Sequence, residues 1–144
     1  MSYQAEEGEI LWRPSQEVIQ RANLTSYMDW LKKNKGLDFG SYHDLWKWSA
    51  SEVESFWESL WIYFDIIHSS PYKKILSQRT MPGARWFEGA ELNYTEQIFR
   101  SMTTERPALL YQSETAGLTE MTWQELHDQV AAVATAFRRM GVGL

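Results

Sequence analysis

The chain has 144 residues, 44% of them hydrophobic and 23% charged, a balance that suits a globular protein and excludes the apolar-poor, charge-rich composition of a disordered one. Its formal net charge of -5 argues against nucleic acid as a partner, because affinity for a polyanion comes largely from Lys and Arg displacing counterions. The absence of cysteine excludes disulfides, thiolate nucleophiles and Cys-type zinc or iron–sulfur sites.

The N-terminus, Met1 to Glu9, is acidic and lacks the basic region and apolar core of a secretory signal. No stretch approaches the ~20 apolar residues of a membrane span, and the cysteine-free composition suits a reducing compartment, with the cytoplasm as the default expectation. Asn93-Tyr94-Thr95 matches a glycosylation acceptor, a match with no meaning outside the secretory route.

The first half reads as a series of short helices. Pro14-Ser15 opens the first, with Ser15 placed to cap orphaned backbone N–H groups. Leu24, Tyr27, Met28 and Leu31 then share one helical face, and Gly36 closes that helix beyond Asn34-Lys35. Lys32, Lys33 and Lys35 are read as a solvated last turn in which cations complement the helix dipole. Ser41 starts the turn carrying Leu45, Trp46 and Trp48, and an interruption is expected at Ser49.

Ser49 and Glu52 have the S-x-x-E spacing of a capping box, which predicts a new helix beginning there. Val53, Phe56, Trp57, Leu60, Trp61 and Phe64 follow at i, i+3, i+4 spacing, a broad aromatic face that runs to the stop at Ser69-Ser70-Pro71. Each such side chain contributes about 1.5–3 kcal/mol when fully buried. From Tyr72 to Leu92 no period is sustained, and the stretch is read as an extended connector with turns at Met81-Pro82-Gly83 and Glu88-Gly89.

Asn93 and Glu96 supply an N-cap and N3 pair for a short helix through Ile98 and Phe99, ending near Thr103. After Pro107, Ala108 to Ser113 and Leu118 to Thr122 read as two strands joined by a turn over Glu114 to Gly117. Thr122-Trp123-Gln124-Glu125 is a further capping box. It opens a helix whose apolar face is Leu126, Val130, Val133, Ala134 and Phe137, closed by Gly141. Two strands and one helix are too few for a sheet covered on both faces, so this part is expected to be a truncated start of a larger α/β unit.

No constellation in the sequence carries chemistry by itself. His43, His68 and His127 are scattered without metal-ligand spacing and are read as partly exposed structural residues. Glu88 and Glu91 would need a cleft scaffold to work as a carboxylate pair. Gly141-Val142-Gly143 follows a helix, whereas phosphate-binding glycines follow a strand and precede a helix. Neither a G-x-S-x-G elbow nor a G-x-x-x-x-G-K-[ST] loop is present. Arg85, beside Trp86 and Phe87, is read as a surface ion-pair or packing residue, and Trp57 and Trp61 as part of a core stripe rather than a stacking platform for bases or sugars.

The unperiodic connector is nevertheless the most specific segment. Met81-Pro82-Gly83-Ala84-Arg85-Trp86-Phe87-Glu88-Gly89-Ala90-Glu91-Leu92-Asn93-Tyr94 closely resembles a stretch typical of acetoacetyl-CoA synthetases. So do Leu11-Trp12-Arg13-Pro14, the Trp48-Ser49 start with Phe56-Trp57 and Phe64, and Ser70-Pro71-Tyr72. Pro107-Ala108-Leu109-Leu110, Thr122-Trp123, Leu126 and Gly141-Val142 resemble the opening of the nucleotide-activating domain of adenylate-forming ligases.

The resemblance implies a cytoplasmic ligase that uses ATP and Mg2+ to make acetoacetyl-adenylate and then lets coenzyme A displace AMP. In the family, the Ser/Thr/Gly-rich loop and lysine near the phosphates and the magnesium ligand that stabilise charge on the departing pyrophosphate, together with a ribose-binding carboxylate, lie beyond this stretch. The expectation is accordingly no catalytic, cofactor-binding or metal residue here, and no cofactor bound by the chain alone. The remainder of the adenylate-forming domain is the expected partner. The fold expected is α+β: a helical N-terminal cap over 1–70, a connector with a short helix over 71–106, and a truncated AMP-binding domain over 107–144. Two other readings stay open: the corresponding piece of an acetyl- or propionyl-CoA synthetase, and a stand-alone helical module that presents Trp57 and Trp61 to a partner.

Overall fold

A computed structural model describes residues 7–143 and divides them into two compact units. The first runs through Ile66 and includes Lys74–Glu88; the second comprises Ile67–Lys73 and the chain from Gly89 onward.

In the first unit, helix α1 spans Gln16–Arg21 and is capped by Ser15, whose hydroxyl accepts from the Val18 N–H. Helix α2, Asn23–Lys35, ends at Gly36 with φ 68°, a left-handed conformation that glycine adopts without penalty. Helix α3, Tyr42–Ser51, starts at Ser41, whose hydroxyl accepts from the Asp44 N–H. Helix α4, Val53–Tyr63, follows after one residue. Strands β1, Lys74–Gln78, and β2, Arg85–Glu88, pair antiparallel, with Lys74 opposite Glu88 and Leu76 opposite Trp86. The register shifts between Leu76 and Gln78, where Ser77 is the extra residue of a bulge.

The core of this unit is Tyr27, Leu31 and Leu45, drawn from α2 and α3, with Phe56, Leu60 and Tyr63 of α4 packed against them. Leu76 of β1 is also buried. The spacing of Tyr27 and Leu31, one helical turn apart, puts both on the face that meets α4.

In the second unit, Ser69 and Ser70 bridge to Glu91 through two backbone hydrogen bonds. Helix α5, Tyr94–Phe99, is capped by Asn93, whose side chain accepts from the Thr95 N–H. Strands β3, Leu109–Tyr111, and β4, Thr119–Met121, form a second antiparallel hairpin, with Leu110 opposite Glu120. Helix α6, Trp123–Arg139, opens on the reciprocal capping box of Thr122 and Glu125 and is followed by Gly141 at φ 85°.

The α+β character and the order of helices, hairpin and final helix agree with the sequence reading. Three local expectations are corrected. Ser49 and Glu52 do not form a capping box: α3 runs through Ser49, whose hydroxyl donates to the Trp46 carbonyl at 2.8 Å, and the Glu52 N–H donates to the Trp48 carbonyl. A serine hydroxyl turned back onto the preceding turn is not available as a cap. Helix α4 begins instead at Val53, without a side-chain cap.

The same helix stops at Tyr63 and not at Ser69-Ser70-Pro71, because Asp65 adopts φ 47° and turns the chain. Aspartate is among the few non-glycine residues that enter the left-handed region readily. The third correction concerns the connector, which contains the β1–β2 hairpin. Its alternation was concealed because the bulge breaks the two-residue period in one strand, and Phe87, at φ 46°, breaks it in the other.

Candidate functional site

The side chains that set this chain apart are its rings, and in the first unit they form a connected shell. Tyr27 of α2 lies 5.0 Å, ring centre to ring centre, from Tyr63 of α4, and edge-on to Phe56 at 6.4 Å. Trp30 meets Tyr63 at 5.5 Å, Trp48 meets Phe56 at 5.8 Å, and Phe39 meets Trp48 at 5.3 Å. Offset and edge-to-face pairs of this kind add about 0.5–1.5 kcal/mol each beyond the area they bury.

One buried polar contact fixes how α2 and α4 fit. Ser59 is the single buried polar residue among those described, and its hydroxyl donates to the Phe56 carbonyl at 2.7 Å. That leaves its oxygen to accept from the Tyr27 hydroxyl. Burial raises the Tyr27 pKa above the usual 10.0, opposed by the Ser59 hydrogen bond and assisted by neighbouring Tyr63.

On the other side of α4, Trp57 and Trp61 face the β1–β2 hairpin. Trp86 lies 5.5 Å from Trp57, and Phe87 lies 4.8 Å from Trp61. Consecutive residues of a regular strand point to opposite faces, yet Trp86 and Phe87 both meet the same helix. The left-handed backbone at Phe87 is what allows it.

The third face of the helical unit is open. Leu24, Tyr42, Trp46, Phe56, Leu60 and Phe64 line an apolar groove of about 690 Å³ between α2, α3 and α4. Phe64 remains 57% exposed and Trp46 50% exposed at its rim. In the second unit none of the described residues is buried, and the α6 face of Leu126, Val130, Val133, Ala134 and Phe137 forms a shallow depression of about 390 Å³. Among the described residues of the second unit, Leu110, Val133 and Phe137 stay more than half exposed.

The titratable residues weighed in the sequence are dispersed. His43 stacks on Trp46 in α3, and His127 of α6 lies edge-on to Phe99 at 5.2 Å. Arg85 is exposed and pairs with Glu88 at 3.5 Å, while Glu91 accepts from the Ser70 hydroxyl at 3.1 Å. Lys32, in the last turn of α2, contacts Asp38 at 2.7 Å; the Asp38 hydrogen bond raises its pKa. Glu125 is lowered below the usual carboxylate value, first by the Thr122 backbone N–H and then by the Thr122 hydroxyl. Among the described residues, no three His, Asp or Glu side chains gather as a metal-binding group. No helix among them is long and apolar enough to cross a membrane.

The stripe of Trp57 and Trp61 was legible in the sequence as a packing face, and the structure places it against Trp86 and Phe87. The groove was not legible, because its lining comes from three helices whose crossing the sequence does not state.

Comparison with known proteins places this architecture. Residues 42–98 match the family described as acetyl-coenzyme A synthetase N-terminus. Acetoacetyl-coenzyme A synthetase of Rhizobium meliloti (strain 1021) is 32% identical over 133 residues, 92% of this chain and 20% of that protein. The acetoacetyl-CoA synthetase of Mus musculus is 30% identical over 139 residues, 94% of this chain and 20% of that protein. Among solved structures, acetoacetyl-CoA synthetase from Streptomyces lividans superposes with a TM-score of 0.85 at 41% identity, covering 93% of this chain and 21% of that one. The chain thus spans about a fifth of the length of the relatives it matches, and along nearly all of its own length it resembles the N-terminal portion of acetoacetyl-CoA synthetases.

Proposed function

We propose that this chain is the N-terminal, non-catalytic portion of a cytoplasmic acetoacetate–CoA ligase. In that enzyme acetoacetate and ATP, with Mg2+, give acetoacetyl-adenylate and pyrophosphate, and coenzyme A then displaces AMP. The observation that carries the reading is the match to acetoacetyl-CoA synthetases over more than nine-tenths of the chain, at 41% identity in the Streptomyces lividans protein.

No residue of this chain is assigned to ATP, coenzyme A or the metal. The reaction needs convergent cationic and metal groups around the phosphates, and the ionised side chains here are spread over exposed faces as local pairs. The role read from its surfaces is a supporting one. The groove of Tyr42, Trp46 and Phe64 and the α6 stripe offer apolar area to the rest of the ligase, which would bury it at about 25 cal/mol per Å². On this reading 107–144 open the adenylate-forming domain and 1–70 cap it.

The test is an assay of the product of the whole gene, measuring pyrophosphate release with acetoacetate, acetate and propionate in turn. Preference for acetoacetate is expected. Preference for acetate or propionate would assign the chain to the related synthetases, and a gene product without acyl-dependent release would favour a helical interaction module.

A further inference from the structure

We draw no further inference here: the strongest candidate, the open ring-lined groove between α2, α3 and α4 bordered by Tyr42, Trp46 and Phe64, carries nothing beyond the supporting role already proposed, because nothing in the structure shows what else would cover it.

Discussion

Phe87 holds its ring 4.8 Å from that of Trp61 by adopting φ 46°, a backbone conformation that side chains with a Cβ enter at a cost of about 1–2 kcal/mol. Two substitutions separate the terms: Phe87→Ala removes the ring and keeps the strain, whereas Phe87→Gly removes both. The expected order of stability in urea, followed by tryptophan fluorescence, is wild type, then Phe87→Gly, then Phe87→Ala. The two variants should differ by about 1 kcal/mol. An alanine variant at least as stable as the glycine one would show that the left-handed turn costs nothing here.

The Tyr27–Ser59 pair makes a second prediction. Ser59→Ala leaves the Tyr27 hydroxyl buried without its acceptor, and Tyr27→Phe leaves Ser59 with only its bond to the Phe56 carbonyl. Each single change is expected to cost about 1–3 kcal/mol. The double variant should cost less than the sum of the two, a coupling that a double-mutant cycle by chemical denaturation reads directly. Strict additivity would mean that the two hydroxyls do not depend on each other.

The same tyrosine sets a pH limit. Because the folded pKa lies above the ordinary 10.0, the unfolded chain loses this proton first as pH rises. The stability associated with neutral Tyr27 is present below pH 10.0 and declines as pH climbs from there through the folded value. Denaturation midpoints should therefore fall more steeply above pH 10 in the wild type than in Tyr27→Phe. Identical slopes would refute this.

At the start of α6 the sign is reversed. Glu125 is held below the usual carboxylate value by the Thr122 backbone N–H and hydroxyl, so its contribution is present above the ordinary value of 4.5 and is lost as pH falls through the lowered one. Thr122→Ala removes the oxygen that accepts from the Glu125 N–H at 3.2 Å, a cap whose loss costs about 1 kcal/mol. Lower amide protection, taken against the intrinsic exchange rate at the same pH and confined to the first turn of α6, is the expected signature in this variant and in the wild type at acid pH. Protection unchanged in both would leave the capping box without a role.

Exposure of the groove predicts behaviour in isolation. The chain alone should bind a hydrophobic dye and sediment as a concentration-dependent mixture, and replacing Trp46 and Phe64 at the rim by lysine should reduce both effects. A sharp cooperative melt from a monodisperse monomer that binds no dye would contradict it.

What was legible in the sequence was whatever is written locally. Ser15, Ser41, Asn93 and Thr122 announce helix starts because a cap is a contact over two or three residues, and Gly36 announces an end because its conformation is its own. Ser49 misled because a serine hydroxyl has two local partners to choose from, and the tertiary demand for Leu45 and Trp48 in one continuous helix decided the choice. The β1–β2 hairpin stayed hidden because its period is broken twice, at Ser77 and at Phe87, for the sake of packing on α4. The family resemblance drew on the stretch that holds the second of these irregularities, Phe87. A stretch shaped by a particular set of contacts carries more identity than a regular one.

Tyr27 and Ser59 are separated by 32 residues, and that interval has a meaning during biosynthesis. At roughly 5–20 residues per second, Ser59 leaves the ribosome about 2–6 s after Tyr27. For that time α2 is a 13-residue helix with its core face bare, a length at which isolated helices are marginal. The rings of α2 and α3 are therefore open to chaperones and to neighbouring nascent chains until α4 emerges, and the serine that completes the hydrogen bond arrives with the helix that closes the core.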